Sequence, residues 1–145
     1  MTAGILDRAA AEAAAPGDVL VRLALPPVTM TQLVFYCGAA GVTDPIHFDR
    51  AFAQRFGFPD CVVNGSLRVS WMAEAAASAV RAPNHLVEIS CSHLKPMYVA
   101  AAGAIEMRLR ERRTGSGGAV LLACDLEIRV GDDVVDRADA VLNFA

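Results

Sequence analysis

"CVVNGSLRVSWMAEAAASAVRAP", Cys61 to Pro83, is the stretch around which the rest of the chain is expected to be organised. After a short apolar lead, Asn64 or Ser66 can cap a helix that runs to Arg81, and Pro83 ends it. A helix so rich in alanine is slim and apolar on nearly every side, which predicts that it is buried against a curved sheet. The alanines in question are Ala73, Ala75, Ala76, Ala77 and Ala79.

The sequence after this helix predicts four antiparallel strands. From His85 onward the apolar pattern has a period of two, which is typical of strands. The segments "TGSGG" and "GDD" separate the last three candidates and have the composition of hairpin turns. The four candidates are "HLVEISCSHL", "AIEMRLRERR", "AVLLACDLEIRV" and "DVVDRADAVLNF".

The sequence before the central helix predicts one strand and shorter helical pieces. Residues 1–15 are rich in alanine and predict a short helix or a loose arm. "DVLVRLALP" alternates in polarity and predicts a strand. Thr29 and Gln32 have the spacing of a capping box, which predicts a helix that ends between Gly38 and Gly41.

"TDPIHFDRAFAQRFG" predicts a second helix. Asp44 can cap it, Pro45 suits the first helical position, and Gly57 suits the left-handed position after the last turn. Asp49 would fall in the second turn of this helix, as a solvated residue or as a member of a hydrogen-bond network. Together these elements predict an α+β domain over residues 16–145, a bent antiparallel sheet wrapped around the central helix, which is the hot-dog fold.

Composition narrows the range of functions. The 145-residue chain has a formal net charge of −3 at pH 7, which argues against a nucleic-acid surface. It has no run of about 18 apolar residues, so no membrane span is expected. Charged residues interrupt the apolar N-terminal stretch, whereas a signal peptide needs an uninterrupted apolar segment, so no signal peptide is expected. The four cysteines lie far apart without a C-x-x-C pair, so we expect free thiols in a cytoplasmic protein and no metal site.

The segment "TDPIHFDRAFAQRFGFPDCVVNGSL" resembles the signature of the MaoC-like, or (R)-specific, enoyl-CoA hydratases and dehydratases. That signature reads roughly S-G-D-x-N-P-[ILV]-H-x-D, then an A-x-x-x-G-F helix, then a hydrophobic-hydrophobic-H-G-x-L step. "SHLKPMYVAA", Ser92 to Ala101, is similar to the family's R-F-x-x-P-V-x-x-G-D strand. The resemblance implies an oligomeric enzyme that acts without a cofactor on acyl thioesters of CoA or an acyl carrier protein.

The resemblance also implies how the site would work. In the family an Asp and a His activate one water that adds to the β-carbon of a 2-enoyl thioester, and a backbone N–H at the start of the central helix polarises the carbonyl. By position, the base is His47 and the carbonyl binder is the N–H of Gly65. Val42 stands where the Asp belongs. Asp44 stands where the family commonly has Asn, and Asn64 where it has His.

Because Val42 cannot accept a proton, three interpretations stay open. In the first, the chain is one subunit of a homo- or hetero-oligomer and borrows a carboxylate from a second hot-dog subunit, or only shapes the partner's substrate tunnel. In the second, Asp44 supplies the carboxylate, against its competing role as a helix cap. In the third, the chain is a hot-dog thioesterase, for which Glu74 is the only acid on the central helix.

Three more residues have both a structural and a functional interpretation. Asn64 can contact the substrate or serve only as a helix cap. Ser70 can lie near the substrate or bond the carbonyl four residues earlier in its own helix. His93 lies in a predicted strand, where we expect a structural role, with a place in the substrate tunnel as the alternative.

Overall fold

An antiparallel sheet of five strands wraps around one helix in the computed structural model, which describes residues 5–145. The α+β hot-dog architecture predicted from the sequence is confirmed, and the strand order is β1-β3-β4-β5-β2. The strands are β1 Val19–Leu25, β2 His85–His93, β3 Gly103–Thr114, β4 Val120–Val130 and β5 Asp133–Phe144. The α-helices are α1 Arg8–Ala13, α2 Met30–Ala40, α3 Arg50–Arg55 and α4 Gly65–Ser78, with short 3-10 helices at Pro45–His47 and Ser116–Gly118.

The central helix α4 lies with one face in the main core. Its buried residues recur at helical spacing and pack beneath the apolar face of the sheet. The helix ends at Ser78, so the predicted end at Arg81 is wrong. The N–H groups of Ala79 and Val80 bond the carbonyls of Ala76 and Ala77, which tightens the last turn into a 3-10 form. The buried face comprises Arg68, Met72, Ala75 and Ala76.

The sheet supplies the other wall of the core. All four predicted C-terminal strands are present, and β2 pairs with β5 so that His93 lies opposite Asp136. Alternate residues of β5 face inward, because side chains of a strand point to opposite faces in turn. The inward set is Asp136, Ala138, Ala140, Leu142 and Phe144, all of them buried.

The segment that follows α2 differs from its prediction. The single helix expected over "TDPIHFDRAFAQRFG" is a 3-10 turn, Pro45–His47, followed by the separate helix α3. Phe48, with φ −141° and ψ −4°, leaves the helical conformation between the two. Asp49 then acts as a second N-cap, accepting from the N–H of Phe52 at 2.9 Å, so its predicted place in a second helical turn is wrong.

The N-terminal elements follow their predictions more closely. Thr29 and Gln32 form the expected capping box, and α2 ends where Gly41 adopts the left-handed conformation. Within residues 1–15 the described part contains the short helix α1, while residues 1–4 lie outside the described residues. None of the helices in residues 5–145 is long and apolar enough to cross a membrane. The four cysteines are unpaired thiols.

Candidate functional site

His47 is fixed to the segment that leads into α4. Its Nδ1 donates to the carbonyl of Val62 at 2.7 Å, and the N–H of Val62 donates to the carbonyl of Ile46 at 3.0 Å. A carbonyl oxygen only accepts hydrogen bonds, so the neutral imidazole carries its proton on Nδ1. Nε2 of this half-buried residue is therefore left with a lone pair, as a general base requires.

The start of α4 presents a backbone donor. Asn64 is buried and caps the helix, since its Oδ1 accepts from the N–H of Ser66 at 2.9 Å and also from the Ser66 hydroxyl. The Ser66 hydroxyl in turn accepts from Tyr36 at 2.8 Å. The N–H of Gly65 lies in the first turn, where N–H groups have no intrahelical partner and the helix dipole favours a negative ligand atom. Asn64 thus has the capping role, and a contact with substrate stays a prediction.

The loop between α2 and the 3-10 turn contains Val42, which stands at the position of the family's catalytic Asp, and Asp44, which could substitute for that Asp. Val42 is half-buried, and its N–H donates to the carbonyl of Cys37 at 2.9 Å beside the Gly41 cap. Asp44 is exposed and accepts from the N–H of Ile46 at 3.2 Å, which is the capping contact. A catalytic role for Asp44 would have to compete with that contact, and it stays a prediction.

Ser70 and Glu74 lie further along α4. The Ser70 hydroxyl donates to the carbonyl of Leu67 at 2.7 Å, so it is engaged with its own helix, three residues back instead of the expected four. Glu74 is exposed and lines a largely apolar groove of about 440 Å³ between β1 and α4, together with Trp71 and Leu23. Its carboxylate is therefore placed beside this groove, away from the first turn of the helix.

A buried charged cluster also reaches the start of α4, and sequence reasoning did not find it. Nδ1 of His93 lies 2.5 Å from Oδ1 of Asp136, and Oδ2 of Asp136 lies 3.0 Å from Nη1 of Arg68. Arg68 and Asp136 are 4% and 0% exposed. A Cβ placed on Gly65 would lie 2.7 Å from Nε2 of His93, so the imidazole touches the first residue of the helix.

Cys91 lies beside this cluster. The sulfur of Cys91 and one donor atom each of His93 and Asp136 lie within 4.8 Å of one another. Burial, and then the charge of Asp136, raise the pKa of the Cys91 thiol, which disfavours the thiolate that a metal needs. Both oxygens of Asp136 are already bonded, one of them to the cationic Arg68, so the set is poorly suited to a cation.

An ion pair links the helix after His47 to the segment that precedes α4. Arg50, the first residue of α3, binds Asp60 through two hydrogen bonds of 2.9 Å each. Asp60 also accepts from the N–H of Cys61 at 2.8 Å. The Arg50 guanidinium, and then this N–H, hold the pKa of the Asp60 carboxyl below its usual value. The pair therefore joins α3 to the segment that leads into α4.

Comparisons with known proteins identify a family and a shared fold for this chain. A family model described as a MaoC like domain matches residues 11–121. The chain is similar to the (R)-hydratase from A. caviae involved in PHA biosynthesis, with 18% identity, a TM-score of 0.74 and coverage of 92% of this chain and 99% of that one. For the MaoC-like dehydratase from Rhodospirillum rubrum the identity is 15%, the TM-score 0.75 and the coverage 92% and 94%.

A third similar structure is a complex. The ChsH1-ChsH2 complex from Mycobacterium tuberculosis matches with 18% identity, a TM-score of 0.69 and coverage of 93% of this chain and 91% of that one. At such identities the structural matches show a shared fold. A search of curated protein sequences found no match. The family model nevertheless covers most of the chain, and this protein therefore belongs to the MaoC-like domain family.

Proposed function

We propose that this protein catalyses the reversible hydration of 2-enoyl thioesters, or the corresponding dehydration of 3-hydroxyacyl thioesters, as one subunit of an oligomeric enzyme. The observation that carries the proposal is the position of His47. Its Nδ1 is held by the carbonyl of Val62, its Nε2 is left with a lone pair, and the segment that holds it runs directly into Gly65 at the start of α4. Membership of the MaoC-like family and the fold shared with an (R)-hydratase support the same reaction class.

The proposed chemistry divides between these groups. The N–H of Gly65 and the positive end of α4 bind the thioester oxygen as it gains negative charge. Nε2 of His47 removes a proton from water while the water oxygen bonds to the β-carbon. In the reverse direction the His47 imidazolium gives a proton to the departing hydroxyl. The acyl group is carried by CoA or by an acyl carrier protein in this proposal, with the cell's cytoplasm as the setting that four unpaired cysteines favour.

A second candidate function is that of a partner subunit that completes the site of another hot-dog chain. Val42 is apolar where the family resemblance calls for a carboxylate, which supports this role. The preceding helix α2 also exposes Val34 by 51% and Phe35 by 74%, and exposed apolar side chains of this size are common at protein interfaces. A hot-dog thioesterase has less support. Its carboxylate would have to act near the first turn of α4, and Glu74 lies away from that turn, beside the groove between β1 and α4.

Hydration assays with the purified chain test the proposal. The loss of enoyl absorbance is followed with crotonyl-CoA and with a longer 2-enoyl-CoA. We expect His47→Gln to lower kcat by about 10²–10⁴-fold, which is the usual contribution of a general acid or base. His85→Gln is the matched control, because His85 is exposed and, among residues 5–145, its ring is hydrogen-bonded to the nearby Pro83 carbonyl alone. It should leave kcat unchanged.

Three outcomes separate the candidates. Turnover that His47→Gln does not reduce would contradict the assigned base. Turnover that appears only after a second MaoC-like chain is added, and that survives His47→Gln, would support the role of partner subunit. Absence of both turnover and thioester binding, alone and with such a partner, would contradict an acyl-thioester function altogether.

A further inference from the structure

We propose that His93 is the second proton-transfer group of this thioester site, where its Nε2 exchanges a proton with the α-carbon of the acyl group. Asp136 and Arg68 act as positioning residues that orient the imidazole. The inference rests on the proposed function. It places within this chain the group that Val42 cannot supply.

The position of His93 supports this role. A Cβ on Gly65 would lie 2.7 Å from Nε2 and 3.2 Å from both Cδ2 and Cε1, so the tip of the ring rests against the first residue of α4. The N–H of the same residue is the proposed ligand of the thioester oxygen. The α-carbon is bonded to that carbonyl carbon, and the β-carbon lies one bond further away. A base in contact with Gly65 is therefore suited to the α-proton, while His47 is suited to the oxygen on the β-carbon.

The orientation of the ring supports it as well. Asp136 is fully buried and paired with Arg68, so its carboxylate accepts the Nδ1 proton of His93. This leaves Nε2 with the lone pair, in the manner of a His held by Asp in hydrolytic triads. The His93 side chain is 40% exposed, so part of the ring is open to a ligand even though Asp136 is not.

The cluster is poorly explained by stability alone. Arg68 and Asp136 pair across the contact between α4 and β5, and a buried ion pair often stabilises a fold no better than apolar residues of the same volume. Within residues 5–145, the buried Nε of Arg68 has no hydrogen-bond partner, which adds to the cost of placing the guanidinium there. What the cluster achieves is to hold one imidazole by its Nδ1, with Nε2 against the first residue of the central helix.

In the direction of dehydration, the two histidines would each transfer one proton. The lone pair on Nε2 of His93 takes the α-proton, and the C–H electron pair forms an enolate whose oxygen is held by the N–H of Gly65. The enolate then forms the double bond between the α- and β-carbons while the β-carbon–oxygen bond breaks. The hydroxyl leaves as water with a proton from the His47 imidazolium. One proton has moved from His47 to His93, and solvent returns it; hydration is the reverse sequence.

Two assays separate the steps at the two carbons. Hydration of crotonyl-CoA needs both histidines. Exchange of the α-protons of butyryl-CoA in D2O, followed by mass spectrometry, needs only the α-carbon step, because butyryl-CoA has no β-hydroxyl. We expect His93→Gln to lower both rates by about 10²-fold or more, and His47→Gln to lower hydration while it preserves exchange. His85→Gln, at the other end of β2, is the control.

The choice of variants guards against loss of the fold. The amide of His93→Gln can still donate to Asp136, so the buried ion pair keeps its partner. His93→Phe, which fills the volume of the ring, replaces it if thermal melting shows that the glutamine variant is unfolded. Exchange and hydration at wild-type rates in a folded His93 variant would overturn the proposal. Activity that chelation removes and Zn²⁺ restores would overturn it too, in favour of a metal held by Cys91, His93 and Asp136.

The proposed function can fail separately. If hydration depends on His47 and is indifferent to His93→Gln, the function stands and the role of His93 is overturned. The wild-type chain could also fail to hydrate crotonyl-CoA, to exchange the α-protons of butyryl-CoA and to bind either thioester, with or without a second MaoC-like chain. That result would contradict both the proposed function and the role of His93.

Discussion

Arg68 and Asp136 form an ion pair across the contact between α4 and β5, with Nη1 of Arg68 3.0 Å from Oδ2 of Asp136 and both side chains buried. Nη1 also donates to the carbonyl of Lys95 at 3.0 Å. The other oxygen of the same carboxylate holds His93. One aspartate therefore joins the first turns of the central helix, the edge strand β2 and an imidazole at the candidate site.

Removal of one partner of this ion pair should lower the free energy of unfolding far more than removal of both. Arg68→Met leaves the buried Asp136 charge without its cation, and we expect a loss of about 3–5 kcal/mol in the free energy of unfolding. The double variant Arg68→Met with Asp136→Leu should recover much of this loss, since two apolar side chains then fill the space. Chemical denaturation measures both values. Arg22→Met, which breaks the exposed Arg22–Glu106 pair, is the control and should cost much less. Additive losses in the double variant would contradict the coupling.

A methyl group at Gly65 should disturb the site, and the same change at Gly38 should not. The Cβ of Gly65→Ala would lie 2.7 Å from Nε2 of His93, whose ring Asp136 holds in place, so we expect a loss of about 1–3 kcal/mol by overpacking. Gly38 lies within α2 with nothing within 4 Å of an added Cβ, and Gly38→Ala should stabilise the helix by about 0.5–1 kcal/mol. Thermal and chemical denaturation measure both. The loss at Gly65 should shrink in a His93→Ala background, and an unchanged loss would show that the two residues are not in contact.

What the sequence predicted well is local. The capping box of Thr29 and Gln32, the cap at Asn64 and the period of the four C-terminal strands depend on residues close to one another in the chain. The prediction of one continuous helix over residues 44–57 was wrong because this short stretch contains two aspartates that can each cap a helix. Asp44 caps the 3-10 turn and Asp49 caps α3, and the local signals do not say that the chain breaks between them.

The charged cluster depends on contacts that no local pattern contains. His93 and Asp136 are 43 residues apart and meet only through the register of β2 against β5. One signal was nevertheless available, because Asp136 occupies an inward position in a strand that is otherwise apolar on that face. A carboxylate at such a position needs a buried partner, and Arg68 occupies a core-facing position of the central helix.

The Arg50–Asp60 pair should make part of the stability depend on pH. Since Arg50 lowers the pKa of Asp60 in the folded protein below its ordinary value of 3.8, the unfolded chain binds the proton more readily. The stabilisation is therefore present above pH 3.8 and is lost as the pH falls through the lower, folded value. Asp60→Asn should be less stable than wild type at neutral pH, with a difference that closes in strong acid. Denaturation midpoints across this range provide the measurement, with Asp132→Asn in the β4–β5 turn as the control for the loss of one carboxylate. A constant difference at every pH would contradict the linkage.

Introduction of a carboxylate at residue 42 should distinguish the possible sources of the second proton-transfer group. Val42 is half-buried, its backbone is fixed by the bond to the Cys37 carbonyl, and it precedes His47 by the spacing of the family motif. If His93 already exchanges the α-proton, Val42→Asp should change kcat on crotonyl-CoA by less than about tenfold, because a second carboxylate then duplicates an existing group.

The decisive comparison is made in the His93→Gln background. There we expect Val42→Asp to restore at least about tenfold of the lost turnover, since a carboxylate and His47 together can again serve both carbons. Val42→Asn, which matches the volume but accepts no proton at neutral pH, should restore nothing. Rescue by both substitutions would mean that polarity alone suffices at residue 42. A large gain from Val42→Asp in the wild-type background would mean instead that His93 is idle and that the chain ordinarily depends on a carboxylate from a partner.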